Sequence, residues 1–295
     1  MAQVLITGTS SGIGFATALA FGRAGHKVAA TMRNPNRAPE LANVAARDNL
    51  AITVFTMDVD ADASVNEGIG RIVKEIGPID VLVNNAGIER TGSVEELPLA
   101  EFRAVMETNY FGVIRCIQAV VPAMRQRRSG CIINVASIAG RFANSPFAPY
   151  TASKFALEAL SESLAQEVKP FNIRVAIVEP GIIDTPMSRH VGIARAQSPY
   201  PHQRRNAALF TAALKNPTPP SVVAEKILEI AVSGTWQLRH PVGPDAAPFL
   251  GWRQAMSDEE WVDLGALDDN AWYDRVKTDF GIDARPGGEI TGPDV

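Results

Sequence analysis

An apolar pentapeptide, QVLIT at positions 3–7, leads straight into Thr7-Gly8-Thr9-Ser10-Ser11-Gly12-Ile13-Gly14. Few folds accommodate that junction. A strand has to end, turn sharply and restart as a helix within a few residues. Gly8 permits the tight turn. Gly12 removes a side chain from the helix entrance, and Gly14 lets the helix lie close against the sheet. Free N–H groups at such a helix start, around Ser10, Ser11 and Ile13, make a cradle for phosphate oxygens. A glycine cluster alone is also an ordinary connector. Its position directly after the first apolar run favours a dinucleotide site.

The alternation continues down the chain. Strand candidates fall at 27–31, 51–56, 79–83, 131–135 and 173–178, and helix candidates at 13–24, 62–76, 101–127 and 151–168. The strands are apolar along their whole length, as expected for parallel strands covered on both faces. Strand–helix alternation of this kind reads as a doubly wound α/β domain, with right-handed crossovers placing helices on both sides of the sheet. The regularity weakens after about residue 180. Residues 186–220 are rich in Pro, Arg, Ala and Ser, a helix is expected at 221–233, and a last strand, WQLR, at 236–239. HPVGPDA follows, then short helices around 258–261 and 270–276 and a frayed end. We read residues 1–295 as one domain, with 186–220 as a variable substrate loop and 241–295 as a C-terminal extension.

Composition removes other classes. With 28 Lys+Arg against 32 Asp+Glu, the net charge is −4, which argues against a broad basic surface for nucleic acid. The short basic run RQRR at 125–128 is better explained by a helix C-terminus in solvent. Cys116 and Cys131 form no CxxC pair and read as buried core thiols, consistent with a reducing compartment; the expected location is cytoplasmic. The N-terminus has no basic, cleavable leader pattern, and no apolar run is long enough to cross a bilayer. His26, His190, His202 and His240 show no HExxH spacing, so no metal site is expected. No GxxxxGK[ST] phosphate loop is present.

The second strand ends in Thr31-Met32-Arg33-Asn34. An acid there would accept both ribose hydroxyls of NAD and repel a 2′-phosphate. Arg33 instead offers a positive fork, so NADP(H) is favoured over NAD(H).

Further along stands Tyr150-Thr151-Ala152-Ser153-Lys154, with Ser137 thirteen positions before the tyrosine, just beyond CIINV. The i,i+4 spacing puts Tyr150 and Lys154 on one helix face. A phenol with a pKa of about 10 is a poor base at neutral pH, and a neighbouring cation is expected to lower it. Together with TGTSSGIG, these residues closely resemble the short-chain dehydrogenase/reductase family. The likeness covers about 2–185, with a looser match through 240. Its long C-terminal segment resembles the steroid- and retinoid-type members.

The resemblance implies a seven-stranded parallel sheet and metal-free catalysis. It implies that Asn84-Asn85-Ala86-Gly87 supports the adenosine-side wall and that the Asp58-Val59 pair meets the adenine. It further implies that Asn109 supports a water in the proton relay. Pro180, Gly181, Ile183 and Thr185 then belong to the segment that meets the nicotinamide carboxamide. Tyr150 is the implied acid/base, Ser137 the hydrogen-bond donor to the substrate oxygen, and Lys154 the cation beside both tyrosine and nicotinamide ribose. Hydride transfer on the pro-S face is implied in the same way. The expected reaction is reduction of a ketone or aldehyde to an alcohol. Two alternatives are a dehydrogenase working mainly in the oxidative direction and a non-catalytic dinucleotide sensor or scaffold. Phe142, Phe147, Ile182, Met187 and Phe210 are candidates for an apolar substrate pocket. Arg189, Arg195, His202, Arg204 and Arg205 lie in the same variable region, where an inward arginine would suit a carboxylate. A homodimer or homotetramer is expected through helices 101–127 and 151–168, with Phe102, Val105, Phe155 and Leu164 as candidate contacts.

Overall fold

The structure is a computed structural model that describes residues 1–192 and 198–286. Among the described residues the strands are β1 (Gln3–Thr7), β2 (Lys27–Met32), β3 (Ile52–Thr56), β4 (Val81–Asn84), β5 (Gly130–Val135), β6 (Ile173–Pro180) and β7 (Arg239–Val242). They form one sheet in the order β3-β2-β1-β4-β5-β6-β7, with every neighbouring pair parallel. The helices are α1 (Gly12–Arg23), α2 (Glu40–Arg47), α3 (Asp62–Ile76), α4 (Leu99–Met106), α5 (Gly112–Arg127), α6 (Ala148–Val168), α7 (Pro186–Val191), α8 (His202–Ala213), α9 (Pro220–Ser233), α10 (Ala246–Gln254), α11 (Asp258–Ala266) and α12 (Asp269–Phe280).

The continuous apolarity of the strands has a direct cause. Successive side chains leave opposite faces of a strand. Leu5, Leu82, Ile132 and Ile177 pack with α3, α5 and α6, while Ile6, Val83, Ile133 and Val178 pack with α1 and α9. Both faces are therefore buried, and the result is the three-layer, Rossmann-like sandwich expected. Strand order reverses between β1 and β4, and the carboxyl ends of those strands open the crevice where such sheets take ligands. Cys116 and Cys131 are buried core thiols, pushed up by burial to about 12 and about 11.

Several elements depart from expectation. The 101–127 helix is broken by one π-helical turn, Glu107–Phe111, between α4 and α5. Val105 and Leu164, expected on an outer face, are core residues. Phe155 is exposed as expected, Phe102 is half-buried, and Phe111, not among the candidates, is exposed as well. The last strand begins at Arg239 rather than at 236, because its register against β6 starts at Ile177↔Arg239. Trp236 stays outside the sheet under the Lys169 ammonium, 3.0 Å from the ring centre. Pro241 is tolerated in β7 because β7 is an edge strand. The 186–220 region holds α7 and α8, and α2 and α10 were not anticipated. Arg195 and residues 287–295 of the expected extension lie outside the described residues. No described helix is long and apolar enough to cross a membrane.

Helices α10 to α12 fold back on the main body. Phe142 and Phe249 are buried in a cluster that Trp252, Trp261 and Phe280 pack against. The Trp261 indole donates to the Ala143 carbonyl at 3.0 Å. This ties the tail to the segment that follows Ser137.

Candidate active site

One cleft of about 350 Å³ opens over the carboxyl ends of the central strands. The glycine turn forms one wall. Gly8 has φ +70° and Gly12 φ +58°. A Cβ on Gly8 would lie 2.7 Å from the Ala86 Cα, and one on Gly14 would run into the Gly8 carbonyl and the Asn85 amide. Backbone therefore approaches backbone where a side chain would keep them apart. Ser11, extended at the head of α1, makes no side-chain cap. Ser10, Ser11, Gly12 and Ile13 line the cleft, so the helix start is available to an anionic group. These features fit a pyrophosphate.

The turn is braced from β4. Thr7 Oγ1 accepts the N–H groups of Asn85 and Ala86, both at 3.0 Å. The Asn85 amide donates to the carbonyls of Thr7 and Gly8, again at 3.0 Å. Asn85, Ala86 and Gly87 all line the cleft. Beneath them Asn84 donates to Asn134 at 2.9 Å, and Asn134 donates to Ser161 at 2.8 Å, so the buried amides are linked into one chain.

At one end of the cleft Met32, Arg33, Asp58, Val59 and Asp60 line the wall. Met32 is buried and Arg33, the next residue, is exposed. Asp58 accepts the Asp60 N–H at 3.1 Å, and Thr108 donates to Asp60 at 3.0 Å. Burial raises the Asp60 carboxyl; the Thr108 bond and the Arg33 charge oppose that, while Asp58 adds to it. Asp60 was not singled out from sequence, although its place two residues beyond Asp58 was available as a signal.

At the other end stand Ser137, Tyr150 and Lys154. Tyr150 and Lys154 project from the first turns of α6, and Pro149 suits that helix start because its missing N–H has no partner to lose. Lys154 is 5% exposed, donates to the Val135 carbonyl at 2.8 Å and lies 5.5 Å from the Tyr150 ring centre. Ser137, just past β5, accepts the Ala139 N–H at 3.1 Å and donates to the Pro180 carbonyl at 3.4 Å.

The electrostatics differ from the sequence expectation. Tyr150 is pushed up to about 12: burial is the main cause, a hydrogen bond with Ser137 opposes it, and the Glu89 charge adds to it. Burial also pushes Lys154 down to about 8, with Glu158 pulling it back. Removing two charge-bearing groups from water outweighs their proximity. Glu89, a second residue that sequence reasoning passed over, is buried at the cleft wall, with His190 Nε2 4.0 Å away. Its one signal is a charge two positions beyond an otherwise uncharged Asn-Asn-Ala-Gly run.

Asn109 is buried in the π-helical turn and is not part of the cleft lining. Its side chain accepts the Ile88 N–H at 2.8 Å and donates to the Ile88 carbonyl at 2.9 Å and to Ser153 at 3.0 Å. It holds the strand-end segment that carries Glu89. Pro180, Gly181, Ile183 and Thr185 line the cleft, and Thr185 caps α7 by accepting the Ser188 N–H at 3.2 Å.

Phe142, Phe147, Ile182, Met187 and Phe210 line the cleft together, joined by Leu209 and Phe249. Arg189, Arg204 and Arg205 are absent from the lining and pair elsewhere. Arg189 pairs with Asp184, and Arg204 and Arg205 both pair with Asp269. His202 is partly buried and is likewise absent from the lining.

Residues 2–195 match the family model for short chain dehydrogenase. The chain belongs to that family and is an NAD(P)(H)-dependent oxidoreductase. It is 36% identical over 270 residues to the oxidoreductase YusZ of Bacillus subtilis, covering 88% of this chain and 95% of that one. It is 41% identical over 186 residues to retinol dehydrogenase 8 of Bos taurus, covering 62% and 59%. An actinorhodin polyketide ketoreductase solved with NADPH superposes with a TM-score of 0.74 at 28% identity, covering 83% of this chain and 97% of that one.

Proposed function

We propose that the protein reduces a ketone or aldehyde to an alcohol with NADPH, reversibly, with Tyr150 as the proton donor. The carrying observation is the convergence of Ser137, Tyr150 and Lys154 in the cleft that the glycine turn and Gly181 also wall. When bound, the reduced nicotinamide supplies hydride to the carbonyl carbon. Negative charge develops on the carbonyl oxygen. Ser137 donates a hydrogen bond to that oxygen, and Tyr150 transfers its proton to it. Lys154, cationic below its pKa of about 8, stabilises the phenolate that remains. Tyr150 is held protonated at neutral pH, so its proton is in place for the developing alkoxide. Asn109 fixes Ile88 and Ser153 beside this group, and we assign it to the support of the proton path.

For the dinucleotide, Gly8, Ser10, Ser11, Gly12, Ile13 and Gly14 would hold the pyrophosphate, Arg33 the 2′-phosphate, and Asp58 and Val59 the adenine. Asn85, Ala86 and Gly87 would back the ribose. Pro180, Gly181, Ile183 and Thr185 would meet the carboxamide. The apolar lining, with the likeness to a retinol dehydrogenase, supports a bulky apolar substrate. Lining residues drawn from Gly8 to Phe249 support a single domain, with the 186–220 region over the substrate end. The exposed aromatic rings of Phe111 and Phe155 support self-association into a dimer or tetramer.

Fluorescence titration with NADPH, followed by turnover of an apolar ketone and aldehyde panel, tests the reading. Binding with turnover is expected. Binding without turnover on any member would leave the sensor reading in its place.

A further inference from the structure

HPVGPDA, which runs from β7 into α10, has no role in the chemistry above. Asp245 sits immediately before α10, where an aspartate ordinarily accepts an N–H from the first turn of its own helix. It makes no such bond. Its Oδ2 accepts the N–H of Ile182 at 2.7 Å, across 63 positions of sequence. Its Oδ1 is buried and has no hydrogen-bond partner among the described residues.

Two glycines make room for the carboxylate. A Cβ on Gly181 would stand 2.5 Å from the Asp245 Cγ, and one on Gly243 would stand 3.0 Å from Oδ1. The neighbouring Gly181 N–H donates to the Val242 carbonyl at 3.0 Å. The end of β7 and the residues after it thus hold two successive N–H groups, those of Gly181 and Ile182. The segment they hold lines the cleft, and its Pro180 carbonyl accepts the hydrogen bond from Ser137. A carboxylate buried with one bare oxygen costs stability. An apolar side chain would fill the volume without that cost but would leave the Ile182 N–H unheld.

We propose that Asp245 is a positioning residue that fixes the 181–183 wall through the Ile182 N–H, and so sets affinity for the nicotinamide half of the cofactor while leaving the adenosine half alone. This rests on the reading of the cleft as an NADP(H) site. Asp245 is not among the residues that line the cleft. Its effect passes through backbone, and it should be visible as a split between two halves of one ligand.

The full-length protein and its Asp245→Ala, Asp245→Leu and Asp245→Asn variants are titrated calorimetrically with NADPH and with 2′-phospho-ADP-ribose, which lacks the nicotinamide. Asp245→Ala is expected to weaken NADPH about tenfold, equivalent to about 1.4 kcal/mol, and to leave the fragment within about twofold. Asp245→Leu, which fills the volume, should behave as Asp245→Ala does. Asp245→Asn keeps an oxygen for Ile182 and should restore NADPH affinity to within about twofold of wild type. Equal weakening of both ligands, or unchanged NADPH affinity in the alanine variant, overturns the proposal. So does loss of folding in both the alanine and leucine variants while the asparagine variant folds, because it assigns Asp245 to stability. Wild type binding neither ligand overturns the cofactor reading itself, a result distinct from the others.

Discussion

Replacing Arg33 by alanine should remove most of the preference for NADPH over NADH. Arg33 follows β2 directly, on the exposed rim of the cleft, and makes no ion pair within 4.0 Å among the described residues. The two nearby cleft carboxylates, Asp58 and Asp60, are the wrong sign for a 2′-phosphate, and the Arg33 charge already acts on Asp60. Two unit charges about 4 Å apart attract by about 1 kcal/mol in water and about 4 kcal/mol near a protein surface. The exposure of Arg33 places its contribution near the lower figure, with a fork-shaped, charge-assisted contact adding to it. A preference of at least about tenfold in kcat/KM, or about 1.4 kcal/mol, is therefore expected for wild type. Steady-state kinetics with both cofactors measure it. Arg33→Ala should lose most of that ratio while NADH kinetics barely move, and the wild-type ratio should shrink as salt is added. Met32→Asp, at the last residue of β2, should turn the preference towards NADH by adding a ribose acceptor and repelling the phosphate. Wild-type efficiency with NADH equal to or above that with NADPH would refute the reasoning, as would a full preference surviving in Arg33→Ala.

Tyr150→Phe keeps the ring and removes the proton, so turnover on the panel substrate should fall by at least about 100-fold with NADPH affinity unchanged; near-wild-type kcat would remove Tyr150 from the acid/base role. Lys154 is cationic below about pH 8 and neutral above it. Reductive kcat/KM should therefore be flat below that pH and decline above it, and Lys154→Arg, charged throughout, should abolish the decline in a measured pH profile. Sedimentation should find a dimer or tetramer, and Phe155→Glu, at an exposed ring of α6, should shift it towards monomer; a concentration-independent wild-type monomer would contradict this.

The sheet was legible because each central strand is buried twice. Leu5 and Ile6 enter opposite cores, and so do Leu82 and Val83, which leaves an unbroken apolar run in the sequence. The turn from Gly8 to Gly14 was legible for a similar local reason, since a close backbone approach admits no other residue. What escaped notice depends on partners far away in the chain. The register that moved the last strand to Arg239 is set by β6, not by the apolar character of WQLR. The π-helical turn at Glu107–Phe111 interrupts a pattern that reads as one helix. Asp245 looks locally like an ordinary helix cap, and only the fold brings Ile182 to it.

The Tyr150–Lys154 pair shows the same boundary within a single motif. The i,i+4 spacing announces that a phenol and an ammonium share a helix face, and the structure has them there. Spacing says nothing of how much water each group retains. That quantity is set by burial in the fold, and it moves the two groups oppositely, the phenol to about 12 and the ammonium to about 8. A phenol that keeps its proton at neutral pH is suited to giving it to a developing alkoxide. A cation that can lose its charge within the physiological range is the member of the pair that should impose the pH limit. The motif residues and their shared helix face were thus readable from the chain, while their protonation follows from burial, which the sequence carries only through contacts that the fold creates.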